Sequence, residues 1–172
     1  MPRINVTGNA GVGKSTLAAR IAILLEAPLF GLDEIVWKPG WKKSGPDERI
    51  LKEHALCARS SWVIDGVSRF VRESADMVVF LDYPRHVSFW RCAKRNWRYL
   101  FRSRPGLPPE CPEIRIAPTL ARIIWQFPKN VRPALLAEFE EWKEQKTLIH
   151  IRSERELCEF MRRLEDTHCG KQ

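Results

Sequence analysis

The residues with the most specific chemistry in this sequence stand at positions 8–15, where Gly-Asn-Ala-Gly-Val-Gly-Lys-Ser fits the spacing G-x-x-x-x-G-K-[ST]. Glycines at these positions let consecutive backbone N–H groups turn inward around phosphate oxygens, and a following helix adds the partial positive charge of its N-terminus. Lys14 supplies a charge for the β- and γ-phosphates of ATP, and the Ser15 hydroxyl is a ligand for Mg²⁺. The segment therefore predicts a site for ATP and Mg²⁺.

The sequence on either side of this segment supports the prediction. Residues 3–7 are a β-branched run typical of a buried strand, and residues 16–26 have apolar side chains at helical spacing. A glycine-rich turn with a solvated lysine, the simpler alternative, would not need a strand before it and a helix after it. We term residues 8–16 the glycine loop, and its predicted nucleotide-binding residues are Gly8, Asn9, Ala10, Gly11, Val12, Gly13, Lys14, Ser15 and Thr16.

Further elements follow the glycine loop in an alternating pattern. Four more short apolar strands are predicted at 27–32, 61–65, 77–82 and 147–151, the first of these ending at Asp33. Predicted helices cover 46–59, 85–104, a stretch from near Thr119 to Trp142 that is broken or kinked at Pro128 and Pro133, and 154–164. We expect a frayed tail from Asp166 and an exposed flap at 105–112. The pattern predicts an α/β three-layer sandwich around a parallel sheet.

Acidic residues follow three of the predicted strands, at Asp33, Asp65 and Asp82. Ligands of parallel sheets bind at the carboxyl ends of the strands, so these carboxylates are predicted to lie beside the glycine loop. Core packing does not require three carboxylates at one edge of a sheet, so their presence favours a nucleotide site.

Length and composition limit the number of domains and the classes of ligand that the protein can have. A chain of 172 residues suits one domain, and its net charge of +8 suits an acidic ligand, either nucleotide or nucleic acid. The five cysteines are scattered without a C-x-x-C pair, which favours reduced thiols over a zinc site or disulfides. With no apolar segment long enough to span a membrane and no signal-like start, we expect a cytoplasmic protein without a membrane partner, as a monomer or a homodimer.

Several segments resemble the nucleoside-monophosphate kinases among the P-loop proteins. Asp-Gly-Val-Ser-Arg at 65–69 is similar to the D-G-F-P-R segment of adenylate kinases, and residues 76–84 are similar to their fourth strand. Residues 32–41, 62–66 and 80–85 are closest to bacterial adenylate-kinase-related DNA topology modulation (FlaR-like) proteins, and residues 125–133 extend this similarity.

The resemblance implies a five-stranded sheet of order 2-3-1-4-5, a Mg²⁺–ATP donor site and a separate acceptor site. It also implies one P-loop kinase-like domain over 1–172, with a helical, arginine-rich lid inserted at about 99–120. The sequence departs from adenylate kinases at Val67-Ser68, in the single cysteine Cys111 of the lid, and in tryptophans placed after the second strand. These departures argue against an AMP-specific pocket.

Each of the remaining candidate residues could have a functional role or a purely structural one. We expect Asp65 to join Ser15 in the metal site, whereas Asp82 is expected to be structural. Asp33 is predicted to accept the proton of an acceptor hydroxyl or to bind a sugar, the alternative being a turn residue. Trp37 and Trp41, which flank Pro-Gly, are either core anchors or walls of the acceptor pocket.

Arginines are the predicted phosphate ligands outside the glycine loop. Arg91 and Arg95 lie one helical turn apart in a run of seven basic residues without an acid, and they are predicted to stabilise the transferring phosphate. Their alternative is a solvated helix face. Arg69 and Arg72 are predicted to bind an acceptor phosphate, and for Arg72 the alternative is a solvated loop cation.

These residues favour an ATP-dependent phosphotransferase of the nucleotide or nucleoside kinase type, with Lys14, Asp33, Arg91 and Arg95 as catalytic residues. The alternative is a nucleic-acid-binding ATPase or regulator, which would explain the aromatic residues in the basic helix. A nucleotide-binding switch is a third possibility, but no distinctive loop supports it.

Overall fold

Seven strands lie in the described part of the chain, which comprises residues 2–98, 110–111 and 113–169 of the computed structural model. They are β1 (Arg3–Gly8), β2 (Leu29–Gly31), β3 (Trp37–Lys38), β4 (Lys42–Lys43), β5 (Trp62–Asp65), β6 (Met77–Leu81) and β7 (Thr147–Ile151). The helices are α1 (Lys14–Leu24), α2 (Leu32–Val36), α3 (Pro46–Cys57), α4 (Arg69–Ser74), α5 (Arg85–Arg98), α6 (Glu113–Asn130), α7 (Arg132–Trp142) and α8 (Glu154–Cys169).

Five of the strands form one parallel sheet in the order β2-β5-β1-β6-β7, while β3 and β4 form a separate antiparallel hairpin. Counted along the chain, the strands of the sheet follow the order 2-3-1-4-5, which confirms the predicted topology. Because every neighbouring pair is parallel, each connection must cross one face of the sheet, and the strands all end at the same edge. The glycine loop follows β1 at that edge.

Helices cover both faces of the sheet and complete the three-layer sandwich. Along β6, Val79 and Leu81 pack with α1 and α8, whereas Val78 and Phe80 pack with helices on the opposite face. Successive side chains of a strand point to opposite faces, and all four are at most 1% exposed. The described helices include none with both the length and the apolar character of a membrane span.

The second strand is shorter than predicted. It ends at Gly31, and Asp33 lies in the first turn of α2 rather than at the end of the strand. Helical spacing brings Leu32 and Ile35 to the same side, where both are buried in one apolar cluster. Burial of these two side chains thus favours a short helix where the sequence showed no clear period.

The helix predicted from near Thr119 begins at Glu113 and runs through Pro128 to Asn130. Helical bonding continues past that proline, because the N–H of Val131 donates to the Phe127 carbonyl at 2.9 Å. A break at Pro128 or Pro133 is therefore wrong in position: α6 ends at Asn130, α7 begins at Arg132, and Pro133 lies in the first turn of α7. A missing N–H costs little there, because the first turn of a helix has no partner for it.

The last helix extends to Cys169, so the prediction that α8 ends at 164 and that the chain frays from Asp166 is wrong over 166–169. The predicted end of the basic helix near Arg104 lies outside the described residues. So does most of the predicted flap, and of the predicted lid at 99–120 only residues 110–111 and 113–120 are described, the latter as the first turns of α6.

Candidate active site

The backbone of the glycine loop packs directly against β6 and α5. Gly8 has a φ of +143°, and a Cβ at this position would lie 2.4 Å from the carbonyl oxygen of Leu81. Gly11 has a φ of +78°, and its Cβ would lie 2.6 Å from the carbonyl oxygen of Ser88. Both positions combine a left-handed backbone with a backbone oxygen too close for any side chain, so they require glycine.

Asn9 connects the glycine loop to α6 by a hydrogen bond. Its side-chain oxygen accepts from the N–H of Ala10 at 2.8 Å, and its Nδ2 donates to the carbonyl oxygen of Ile124 at 3.1 Å. In a regular helix that carbonyl would accept the N–H of residue 128, but Pro128 has none. Asn9, which is only 4% exposed, therefore replaces the hydrogen bond that Pro128 removes.

Lys14 reaches back across the glycine loop at the start of α1. Its Nζ donates to the carbonyl oxygen of Asn9 at 2.9 Å, so the ammonium group lies within the span of the loop. Gly13 precedes α1 in the left-handed conformation, and no side chain caps the first turn of this helix. Uncapped N–H groups beside a lysine ammonium form the arrangement that binds phosphate at helix N-termini.

The two residues predicted to hold a metal ion are in contact. The Ser15 hydroxyl donates to Oδ2 of Asp65, the last residue of β5. The other carboxylate oxygen, Oδ1, is buried and has no hydrogen-bond partner among the described residues. An unpaired carboxylate oxygen beside a hydroxyl fits Mg²⁺, which takes a few protein oxygens and completes its shell with phosphates and water.

No group of three or more His, Cys, Asp or Glu side chains in the described part could hold a metal ion by itself. The metal role of Ser15 and Asp65 stays a prediction, and an ion held by these two residues would take its other ligands from phosphates and water. When bound, the ion would neutralise phosphate charge.

Arg91 extends from α5 to the glycine loop. Its Nη1 donates to the carbonyl oxygen of Val12 at 2.6 Å, and its Nη2 forms an ion pair with Glu154 at the start of α8. Arg95 is half-buried one turn further along α5, with Nη2 3.7 Å from the sulfur of Cys92. These contacts argue against a solvated helix face for both arginines.

Asp82 is part of a structural network rather than the metal site. Nε of Arg132 donates to both of its oxygens at 2.9 Å, and Nε2 of His150 lies 2.9 Å from Oδ2. Burial raises the pKa of this carboxyl, but the hydrogen bonds from His150 and Arg132 outweigh burial and hold the pKa below its usual value. The structural interpretation of Asp82 thus agrees with its contacts.

The residues predicted for the acceptor site, Asp33, Trp37 and Trp41, lie on neighbouring elements after β2. Asp33 is exposed and stands two residues after Gly31, which is the register partner of Asp65 in the sheet. Trp37 and Trp41 are half-buried and pack edge to face, with ring centroids 5.1 Å apart. The two rings thus pack against each other, and their role at an acceptor site stays a prediction.

Cys111 contacts the β3–β4 hairpin, which we term the tryptophan hairpin because its residues 37–43 include Trp37 and Trp41. The sequence did not indicate this role. The Cys111 sulfur lies 3.4 Å from the backbone nitrogen of Trp41 and 3.7 Å from the carbonyl oxygen of Lys38. The residue is fully buried. Cys111 thereby connects the hairpin to the segment before α6, a contact that no sequence spacing indicates.

The two candidate acceptor arginines have different surroundings. Arg69 is exposed and forms an ion pair with Glu73 at 2.7 Å. Arg72 is buried, and its guanidinium binds the carboxylate of Glu138 through two bonds of 2.6 and 3.0 Å. Arg72 is therefore not a solvated loop cation, and its role in binding an acceptor phosphate stays a prediction.

Comparison with solved structures identifies the class of fold. A shikimate kinase from Acinetobacter baumannii in complex with shikimate matches with a TM-score of 0.51 and 19% identity, over 89% of this chain and 84% of that chain. A protein from Chloroflexus aurantiacus to which a kinase function is ascribed matches with a TM-score of 0.50 and 15% identity, over 87% and 86%. This chain therefore has the α/β fold of P-loop kinases.

No protein-family model matches the sequence, and no curated protein matches it. The resemblance to FlaR-like proteins and the adenylate-kinase-like specificity therefore stay predictions. The comparisons establish the fold, and the functional assignment depends on the site.

Proposed function

We propose that this chain is an ATP-dependent phosphotransferase that moves the γ-phosphate of ATP to a small acceptor. The observation that carries the proposal is the convergence of the glycine loop, the Ser15–Asp65 pair and Arg91 at one edge of the sheet. The likeness of the fold to P-loop kinases, among them a shikimate kinase, supports this class of reaction.

Phosphoryl transfer depends on positioning and charge neutralisation more than on covalent chemistry, and the donor-side residues can supply both. Backbone N–H groups of the glycine loop and the Lys14 ammonium would bind the phosphates, while Ser15 and Asp65 would hold Mg²⁺. Arg91 and Arg95 would neutralise charge on the transferring phosphate.

On the acceptor side we propose Asp33 as the group that accepts the proton of an acceptor hydroxyl. Trp37 and Trp41 would form the wall of the pocket. Arg69 would bind an anionic group of the acceptor after leaving its exposed pair with Glu73. This set suits a small compound that carries a hydroxyl or a phosphate, such as a nucleotide, a nucleoside or a hydroxy acid.

The test is ADP release from Mg²⁺–ATP against nucleoside monophosphates, nucleosides and small hydroxy acids. Stimulation by one acceptor would establish the kinase and its substrate class.

Lys14→Ala should lower that activity about 100-fold or more, because removing a preorganised phosphate ligand costs this much in comparable sites. Lys52→Ala removes an exposed lysine that pairs with Glu48 on α3, and it should leave the activity unchanged. Full activity of Lys14→Ala would contradict the proposal.

A nucleic-acid-binding ATPase is the second candidate, and three exposed tryptophans favour it. Trp90 and Trp97 on α5 are 71% and 80% exposed, and Trp125 on α6 is 60% exposed with Arg85 4.5 Å from its ring centroid. Exposed aromatic rings among cations are the platform that stacks single-stranded bases. ATP hydrolysis stimulated only by DNA, with binding that weakens steeply as salt rises, would favour this candidate over the kinase.

A further inference from the structure

Arg91 is held at three points by residues from separate parts of the chain. Its Nη1 donates to the Val12 carbonyl oxygen at 2.6 Å, and its Nη2 pairs with Glu154. The guanidinium also lies over the ring of Tyr83, 5.0 Å from the ring centroid. A Cβ placed on Gly13 would be 3.4 Å from Nη1, so the guanidinium lies within van der Waals reach of the start of α1.

Glu154, like Tyr83, is a partner of Arg91 that neither the glycine-loop motif nor the proposed chemistry uses, and it is the partner that carries a charge. It is the first residue of α8, and its side chain is 61% exposed. An ion pair this exposed contributes little to folding stability. It does fix the far end of a long side chain that would otherwise sample many rotamers. The pair with Arg91 is therefore better explained by the orientation of the guanidinium than by stability.

We propose that Glu154 is a positioning residue, whose carboxylate keeps the Arg91 guanidinium beside the glycine loop before a nucleotide binds. The inference rests on the proposed function, because it takes the glycine loop as a phosphate site. A guanidinium already in place meets the phosphates without first being ordered, and such preorganisation lowers the entropic cost of binding. Glu154 then acts through Arg91 and not through the nucleotide.

A double-mutant cycle tests this coupling, with the affinity for a nonhydrolysable ATP analogue and Mg²⁺ measured by calorimetry in the full chain. Glu154→Ala should weaken binding of the analogue roughly 5-fold to 10-fold, within the range of coupling between contacting residues. Adding the same change to Arg91→Ala should cause no further loss, because no guanidinium remains to be held. Glu159→Ala is the matched control: it removes another acid of α8, one paired with Arg155 on the same helix, and should bind the analogue like the wild type.

The remaining outcomes are also decisive. An equal effect of Glu154→Ala in both backgrounds would overturn the inference, because a merely structural role does not depend on Arg91. Tighter binding by Glu154→Ala would overturn it too, since the carboxylate would then act by repelling phosphate. Coupled binding without transfer to any acceptor would overturn only the kinase proposal, whereas no binding of the ATP analogue by the wild type would overturn both.

Discussion

At single positions of the glycine loop, contacts with neighbouring backbone atoms decide which residue type can be accommodated. Gly11 shows this most clearly, because it combines a φ of +78° with close approach to the Ser88 carbonyl of α5. Gly40, in the turn between β3 and β4, has nearly the same φ of +75° but no heavy atom within 4 Å of the place a Cβ would take. The two glycines therefore separate the effect of backbone strain from that of steric clash.

Alanine substitutions at these glycines should differ in their effect on nucleotide binding. Gly40→Ala should lower the free energy of unfolding by about 1–2 kcal/mol, the cost of a left-handed alanine, and leave MgADP affinity unchanged. Gly11→Ala has the same strain and also clashes with the Ser88 carbonyl, so the loop must shift and MgADP affinity should fall by about tenfold or more. Calorimetric titration and urea unfolding measure the two effects, and equal MgADP affinities in both variants would contradict the packing of the loop against α5.

Between elements, a buried ion pair joins α4 to α7. Arg72 and Glu138 are each 6% exposed and form a bidentate ion pair. Two charges removed from water are stable only as a pair, because each alone would keep the cost of its lost hydration. This contact therefore fixes how α7 lies beside α4.

Removing one member of the pair should be costly. Glu138→Gln leaves the buried Arg72 charge without a counter-charge, and it should lower the free energy of unfolding by about 3–5 kcal/mol in urea denaturation. Glu141→Gln, an exposed position of α7, should change it by less than about 0.5 kcal/mol. Similar values for the two variants would show that the Arg72–Glu138 pair does not form in solution. The double variant Arg72→Met/Glu138→Leu should recover most of the loss, because it removes both charges together.

For the molecule as a whole, Asp82 links three elements at the edge of the sheet that carries the site. Its carboxylate follows β6 and binds Arg132 of α7 and His150 of β7. Its folded-state pKa lies below the usual value, so its contribution to stability is present above the unfolded-state pKa of about 3.9. That contribution is lost as the pH falls through the folded-state pKa.

The stability difference between the wild type and Asp82→Asn should therefore depend on pH. We expect the wild type to have the larger free energy of unfolding near pH 7, and the difference to shrink below about pH 4 as Asp82 takes up a proton. Urea denaturation across this range measures it, with Asp47→Asn, an exposed position of α3, as the control. A difference that stays constant down to the lowest pH would contradict the lowered pKa of Asp82.

Much of the fold could be predicted because it depends on local sequence patterns. Apolar runs of strand length, helical spacing and the glycine loop are properties of neighbouring residues, and the alternation of these elements limits the topology to a parallel sheet covered on both faces. Element ends were predicted less well: α2 begins at Leu32, where burial of Leu32 and Ile35 favours a helix, and α6 continues through Pro128 to Asn130. Pro128 is tolerated inside α6 while Asn9, from the other end of the chain, binds the carbonyl that it leaves free.

The sequence by itself determined the glycine loop, the alternation of strands and helices and the candidate residues at the strand ends, while the strand order was implied by the resemblance to nucleoside-monophosphate kinases. Only the tertiary structure decided which candidates have which neighbours: Arg91 with Glu154, Arg72 with Glu138, and Cys111 with the tryptophan hairpin. The physical reason is that these contacts join residues 63 to 70 positions apart. No period of a helix or a strand relates such positions, and they meet only after the sheet has brought its helices together.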